Sequence, residues 1–273
     1  MQPITLSPFP DPYQDAASLA IPLSHRKMLR WSEQIWLAQR SYAKAVERLI
    51  AYFITQIDIA GIDDGEERRQ EKAMHDNVLS TPETLKLAGI DAACYGAGFL
   101  SVIVPFLRTL VCPRRGCIRL PLREAAKREG YKWQCPDFIF RCPICAYSGV
   151  FKVEDIPVDI DTKMKLHRRD PHTIDVIHNL ETGDNRYLWR IPEDYRALLR
   201  SSNCDVFHLE RANLNVIKAV AARALFEFHP DTIHQVKQDY LGGLPLRGWG
   251  IPHPLLNHRR LYLLQVLHRL HTK

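Results

Sequence analysis

The sequence predicts an α+β protein with long helices near its N-terminus, a cysteine-rich segment inserted after them and short strands further on. Three observations carry this prediction. Apolar residues recur at helical spacing between residues 28 and 52. Cysteines form two close pairs between residues 112 and 145. After residue 149 the chain changes to short alternating runs separated by Pro, Gly, Asp and Asn, which is typical of antiparallel strands.

The composition is that of a globular protein. Of the 273 residues, 46% are hydrophobic and 25% are charged, so the chain can bury a substantial core in one or two domains. The net charge of +6 permits contact with nucleic acid without requiring it. The longest apolar run, residues 97–107, is too short to span a bilayer and contains a proline. We therefore expect a soluble protein, made in the cytoplasm, with no membrane partner.

The N-terminal region is predicted to be an extended arm followed by a helix. Residues 1–25 contain five prolines, which prevent a long helix, and such arms often lie on a neighbouring subunit. Ser24 is a candidate N-cap for the helix. Its apolar stripe alternates steps of three and four over seven turns, through Met28, Trp31, Ile35, Ala38, Tyr42, Ala45, Leu49 and Tyr52. We expect one long helix.

The next segment is predicted to be a linker and the one after it a second helix. Residues 61–77 are charged and lack apolar periodicity, which indicates a solvated linker. Thr81 as N-cap with Pro82 in the first helical position predicts a helix that runs to about Cys94. Residues 97–107 follow as a buried strand or short helix.

The second half is predicted to contain a small antiparallel sheet and three helices. The alternating runs at 150–153, 173–178, 187–191 and 206–210 predict strands, and the segments 191–199 and 213–224 predict helices. Residues 241–254, with four glycines and three prolines, predict a hinge. A final helix is expected from about 255 to 271. It carries Arg259, Arg260 and Arg269 and no acidic residue.

The cysteine spacing is the strongest chemical feature of the chain. Cys112 and Cys117 form one pair, and Cys142 and Cys145 form the other, each close to Pro and Gly residues that suit tight turns. Two such pairs can close a tetrahedral thiolate cage around Zn²⁺, and the two halves together predict a zinc ribbon. Four thiolates leave no open coordination position, so the predicted zinc is structural. Cys135, seven residues before Cys142, is an alternative ligand.

The competing hypothesis is that the cysteines are free or buried thiols that bind no metal. Cys94 and Cys204 stand alone in the sequence, and we expect them to be buried structural thiols. The paired cysteines are open to the same interpretation, but two close pairs rarely arise by chance.

Several segments, taken in order, resemble tailed-bacteriophage portal proteins, specifically a subset with a zinc ribbon in the wing. The segments are residues 95–113 (YGAGFLSVIVPFLRTLVCP), the ribbon, residues 187–192 (YLWRIP) and residues 248–256 (GWGIPHPLL), which open a long helix. The resemblance covers most of residues 26–271, and it depends on the order of the motifs more than on any one of them.

The resemblance implies a portal-like wing divided into consecutive segments. These are an arm at 1–25, a helical wing region at 26–110, the zinc ribbon at 111–155, an α+β wing region at 156–240, and a hinge with the start of a stem-like helix at 241–273. Portal subunits are normally longer, with a pair of stem helices, a clip and a crown. We therefore expect a fragment or split portal, or a shorter paralogue that kept the wing.

The resemblance also implies a structural role without a catalytic centre. Portal proteins form a homo-oligomeric ring at one capsid vertex, through which double-stranded DNA is packaged and ejected and where the terminase and then the neck proteins dock. The implied location is the virion, after assembly in the host cytoplasm. Arg259, Arg260 and Arg269 would then face DNA or a neighbouring subunit.

Two alternative functions remain open from the sequence. In a zinc-ribbon nucleic-acid-binding protein, basic residues around the cage would contact phosphates, and Tyr131 and Trp133 would stack on bases. Those basic residues are Arg114, Arg115, Arg119, Lys127, Arg128 and Lys132. A solvated basic face is the plainer interpretation. In a zinc-containing nuclease the late histidines would act, but no Asp-His pair follows the cysteines, and we expect no enzyme activity.

Overall fold

The computed structural model describes residues 25–54, 63–78, 80–114, 117–158, 165–179, 181–237, 249–250 and 252–256. The predicted arm, most of the predicted hinge and nearly all of the last predicted helix lie outside these ranges. The described residues form an α+β fold of helices and small antiparallel sheets, as the sequence predicts at that level. No helix among them is long and apolar enough to cross a bilayer.

The predicted long helix is two helices, α1 (His25–Ala38) and α2 (Arg40–Phe53). The interruption is at Gln39, whose φ of −107° and ψ of 62° lie outside the helical region. Trp36 of α1 and Ala43 of α2 nevertheless pack in the same buried cluster, together with Cys94 of a later helix. The prediction of one continuous helix was wrong. The spacing of apolar residues fits an unbroken helix, and it does not show that the chain must bend at Gln39 for both halves to contact the same later helix.

The predicted linker at 61–77 is largely helical. Helix α3 (Gly65–Ala73) buries no residue and continues into a π-helical turn at Met74–Val78. The side chain of Asp64 accepts hydrogen bonds from the N–H groups of Glu66 and Glu67, which place negative charge at the N-terminus of the helix. The prediction of solvation is correct, but capping and charge placement form a helix where apolar periodicity is absent.

Helix α4 (Thr81–Tyr95) lies within one residue of its prediction. Ser80 occupies the N-cap position, Thr81 is the first helical residue, and Gly96 ends the helix with a left-handed φ of 85°. Residues 97–103 then form the first strand. A strand was one of the two alternatives expected for this segment, the other being a short helix.

The strands within the described residues form four three-stranded sheets, and all of their pairings are antiparallel. In chain order they are β1 (Ala97–Ile103), β2 (Phe106–Val111), β3 (Arg119–Pro121), β4 (Lys132–Gln134), β5 (Asp137–Arg141), β6 (Ser148–Val150), β7 (Lys152–Pro157), β8 (Lys165–Arg169), β9 (Ile174–His178), β10 (Asn185–Trp189), β11 (Phe226–Glu227) and β12 (Ile233–Lys237). The sheet orders are β12-β1-β8, β3-β2-β7, β4-β5-β6 and β11-β10-β9. Strands from both sides of residue 149 therefore share sheets, whereas the sequence predicted a sheet after it.

The remaining helices are short. They are α5 (Leu122–Ala125), α6 (Glu193–Arg200), α7 (Val206–Leu209), α8 (Leu214–Ala221) and α9 (His253–Leu256), with 3₁₀ turns at Pro171–Thr173 and Pro230–Thr232. Helix α7 corrects the strand predicted at 206–210. The Asp205 side chain accepts a hydrogen bond from the Phe207 N–H, and this cap starts a helical turn.

Two large buried clusters organise the fold. The first joins β2, β5 and the cysteines to helices α6 to α8, with Phe138, Leu199 and Ile217 fully buried. The second lies between the β1 and β10 sheets and contains Phe99 and Trp249. Trp189 and Phe226 pack against both clusters, so they lie at the junction between them.

Candidate metal centre

The first cysteine pair lies on the β2–β3 hairpin. Strand β2 ends at Val111, and Cys112 follows it directly. Val111 pairs with Arg119 across the hairpin, and the Cys112 N–H donates to the Ile118 carbonyl at 3.1 Å. Pairing of the two strands therefore holds Cys112 and Cys117 at one end of the hairpin.

The second pair lies on the β5–β6 hairpin. The Cys142 N–H donates to the Tyr147 carbonyl at 2.7 Å, and the Ala146 N–H donates to the Cys142 carbonyl at 3.0 Å. The Cys145 N–H points at the Cys142 sulfur, 3.5 Å away. Ala146 adopts a left-handed φ of 55°, which closes the turn after the second thiol. The backbone thus folds around the Cys142 sulfur.

The two hairpins bring all four thiols together. The four Sγ atoms lie within 4.8 Å of one another. The Cys112 and Cys145 sulfurs are 3.6 Å apart, and those of Cys117 and Cys142 are 3.5 Å apart. Zn–S bonds of ~2.3 Å place the sulfurs of a tetrahedron ~3.8 Å apart, so the cluster has the dimensions of a four-thiolate site. The four cysteines can hold a metal ion.

The clustered thiols differ in how readily they lose a proton. Burial and the neighbouring thiols raise the pKa of Cys117 to about 12, and burial raises the pKa of Cys112. Burial also acts to raise the pKa of Cys142. The N–H groups of Cys145 and Ile144, together with the Cys145 and Cys117 thiols, outweigh burial and lower that pKa to about 7. A dication bound at the centre would displace the protons of Cys112 and Cys117 and would stabilise the four adjacent thiolates.

The cluster is supported by the first buried core. Cys112 and Cys142 are buried in that core, and Cys117 and Cys145 pack against it. Phe140 and Phe151 contact each other edge to face at 5.2 Å beneath the hairpins. Packing of these apolar side chains therefore holds the two hairpins in place, with the four thiols close together at the hairpin ends.

The other cysteines lie elsewhere. Cys135 is not among the four clustered thiols; its sulfur lies 4.0 Å from the carbonyl oxygen of Ile217 on α8. Cys94 and Cys204 are buried, which confirms the prediction for both, and burial raises the pKa of each thiol.

The residues proposed to contact nucleic acid divide into two groups. The exposed group consists of Arg114, Arg119, Lys127, Arg128 and Lys132, and this exposure is compatible with a solvated face or with a ligand-contacting one. Arg115 lies outside the described residues. Trp133 is buried, donates its Nε1–H to the Leu199 carbonyl at 2.8 Å and packs against Phe138. Its ring is therefore not available to stack on a base.

Sequence reasoning did not find the buried Arg108 or the half-buried Arg169. Arg108 lies inside β2, within the apolar run FLRTLV, and its full burial is unusual for a charged residue. The indication of this burial in the sequence was a basic residue inside an otherwise apolar strand. Arg169 ends β8 and lies over the Trp189 ring, 4.8 Å from its centroid, and nothing in its local sequence indicates this contact.

The predicted basic residues of the last helix, Arg259, Arg260 and Arg269, lie outside the described residues. Comparison with known proteins gives no relative, since no family model, curated protein or solved structure matches the chain.

Proposed function

We propose that this chain is a structural, non-catalytic protein that forms or contributes to a portal ring at a viral capsid vertex. In that role double-stranded DNA would pass through the ring, and capsid, terminase and neck proteins would be its partners in the virion. The assignment to portal proteins rests on the order of motifs across residues 26–271. The structural character of the protein rests on the four-thiol cluster, because four sulfur ligands leave no position at a metal for a reacting water.

The proposed metal is zinc. Zn²⁺ accepts four thiolates in a tetrahedron without a redox change, and thiolate ligands exclude the hard cations Mg²⁺ and Ca²⁺. Bound there, zinc would supply a cross-link between the β2–β3 and β5–β6 hairpins. The hairpins are short, with β3 and β6 contributing three residues each, so a metal cross-link would stabilise a ribbon that has few backbone pairings of its own.

Exposed apolar side chains support assembly into an oligomer. Helix α2 exposes Leu49, Tyr52 and Phe53, and Leu37 at the end of α1 is also exposed. Leu49, Tyr52 and Phe53 are spaced i, i+3 and i+4 along α2 and so share one face. An exposed apolar face of this kind commonly marks a protein contact. A ring places such a surface against the neighbouring subunit, so these helices are the proposed intersubunit face.

Native mass spectrometry of the purified full chain tests assembly and metal content together. A closed ring with one zinc per subunit is the expected result. A monomer with zinc bound would contradict self-assembly into a ring, and a ring without zinc would contradict the metal assignment alone. A Leu49→Glu and Tyr52→Glu double variant should lower the oligomeric state while keeping the metal, because it places charge on the proposed contact.

A zinc-ribbon nucleic-acid-binding protein is the second candidate, favoured by the exposed basic residues near the cage. It predicts that the full chain binds double-stranded DNA as an isolated subunit, with an affinity that falls steeply as salt rises. Substituting Lys127, Arg128 and Lys132 with Gln should then weaken binding at least tenfold. If the triple variant binds DNA as the wild type does, the second candidate is wrong.

A further inference from the structure

A cleft of about 440 Å³ lies at the junction of the two large buried clusters, away from the four-thiol site. Strands β1 and β8 contribute one wall, through residues such as Ile103 and His167. Trp189 and Phe226 contribute an aromatic wall, and the segment between α7 and α8, including Arg211, contributes a third. A volume of this size suits a small organic ligand.

Arg169 is a half-buried cation in the lining of the cleft. Its register partner on β1 is Phe99, and its Nε–H donates to the Ser101 hydroxyl at 2.8 Å. The guanidinium lies 4.8 Å from the centroid of Trp189 and 5.3 Å from that of Phe228. Burial lowers the pKa of Arg169 to about 10, so the group is still cationic at neutral pH. The two ring contacts and the Ser101 contact fix its plane.

The cleft holds positive charge without a carboxylate to balance it. Among the described residues, its lining includes the cations Arg169 and Arg211 but no Asp or Glu. His167 also lines the cleft, and burial and the Arg169 charge lower its pKa. Acidic residues on the adjacent strands pair with other arginines. Asp175 of β9 pairs with Arg190 at 2.5 Å, and Glu227 of β11 pairs with Arg186 at 2.6 Å. A partly buried cation that no carboxylate of the described chain neutralises favours an anion from outside.

We propose that this cleft binds a small aromatic carboxylate. The Arg169 Nε–H is already used by Ser101, which leaves the two terminal nitrogens to donate side by side to one carboxylate. The aromatic body would pack against Trp189, Phe226 and Phe228, and Arg211 at the exposed rim would add a second positive charge. The proposal depends neither on the metal nor on assembly into a ring.

Isothermal titration of the full chain with 1-naphthoate and with its neutral isostere 1-naphthamide tests the proposal. The two probes have the same aromatic body and differ in charge. Naphthoate should bind at least tenfold more tightly than naphthamide. If the two affinities are equal, or if naphthoate shows no binding at millimolar concentration, the proposal is wrong.

Two variants that each remove one positive charge from strand β8 locate the site. Arg169→Gln should weaken naphthoate binding at least tenfold and leave naphthamide binding nearly unchanged. Lys165→Gln removes one positive charge from the same strand at an exposed position outside the cleft lining, and it should change naphthoate binding by less than twofold.

A third variant keeps the test decisive if Arg169→Gln does not fold. Arg211→Gln changes an exposed residue at the rim and should weaken naphthoate binding about threefold. If Arg169→Gln folds, naphthoate binding that it leaves unaffected, or that Lys165→Gln weakens equally, would overturn the assignment to this cleft. If Arg169→Gln does not fold, naphthoate binding that Arg211→Gln leaves unaffected would overturn it.

Discussion

Arg108 and Asp155 form a paired, two-bond ionic contact between strands β2 and β7. Arg108 Nε donates to Asp155 Oδ1 at 2.8 Å, and Nη2 donates to Oδ2 at 2.7 Å. The Arg108 side chain is fully buried, whereas that of Asp155 is 23% exposed. Arg108 also donates through Nη1 to the Leu209 carbonyl on α7. Arg108 therefore joins strands β2 and β7 of the sheet that carries the first cysteine hairpin and also fixes this sheet to α7.

Removal of Asp155 should be strongly destabilising. Asp155→Ala leaves the Arg108 guanidinium buried without its carboxylate, and breaking a buried pair in this way typically costs about 3–5 kcal/mol. The free energy of unfolding, measured by urea titration of the metal-loaded protein, should fall by an amount in that range.

The neighbouring residue Glu154 is the matched control. It lies on the same strand and pairs with Arg119, but both side chains are well exposed, at 63% for Arg119 and 41% for Glu154. Exposed pairs contribute about 0–1 kcal/mol, so Glu154→Ala should have a small effect. Equal losses in the two variants would show that burial of Arg108 does not govern the effect.

Metal content should depend on the clustered cysteines and not on Cys135. Cys142→Ser removes the thiol at the centre of the second turn, and the proposed zinc should fall from about one per chain to almost none because a tetrahedral site loses a ligand. Cys135→Ser, which lies outside the cluster, should retain the metal. Elemental analysis after gel filtration measures both, and zinc loss from Cys135→Ser would contradict the ligand set.

The sequence predicted the candidate site more fully than the fold around it. The four cysteines were identified because ligand spacing is a local property, and a metal site needs residue types that have few other reasons to recur in close pairs. Helix α4 was also predicted closely, since Pro82 at its start and Gly96 after its end are local signals. Features that depend on a single segment of the chain could therefore be predicted from the sequence.

Features that depend on contacts between distant segments of the chain could not be predicted from the sequence. The break at Gln39 follows from two helices packing against α4, and Arg108 is buried only because Asp155 and the Leu209 carbonyl meet it across the fold. The turn at α7 was predicted as a strand because alternation over four residues fits both structures. The Arg169 cleft joins segments that are more than 60 residues apart in the sequence, as its contact with Ser101 illustrates.

The close approach of β1 to α4 requires glycine at position 98. A Cβ added to Gly98 would lie 2.2 Å from the Ala88 carbonyl oxygen, a backbone atom that cannot move away cheaply. Gly98→Ala should therefore lower the free energy of unfolding by about 2–3 kcal/mol through overpacking.

Gly65 provides the comparison for this prediction. A Cβ there meets nothing within 4 Å, and the residue begins helix α3. Gly65→Ala should be neutral or stabilise the protein by up to about 1 kcal/mol. Thermal unfolding of the two variants measures the contrast, and a neutral Gly98→Ala would mean that β1 and α4 are further apart than the structure places them.

Asp91 should make stability depend on pH in an unusual direction for a paired carboxylate. Its side chain is only 2% exposed and accepts hydrogen bonds from Arg168 Nε and Nη2 at 2.5 Å. Burial raises the pKa of Asp91 above its ordinary value, and this outweighs the lowering by Arg168. The folded protein therefore holds the Asp91 proton more tightly than the unfolded chain does.

The sign of the effect follows from this difference in proton binding. The contribution of Asp91 to stability is fully present below the unfolded pKa, near 3.8, and is lost as pH rises through the higher folded pKa. Asp91→Asn does not titrate, so its free energy of unfolding relative to wild type should increase as pH rises above about 4. Arg168→Gln removes the group that lowers the Asp91 pKa and should extend the pH-dependent range upward. Urea unfolding at several pH values measures both variants. A difference between Asp91→Asn and wild type that stays constant with pH, or changes in the opposite direction, would mean that the pair with Arg168 prevails over burial.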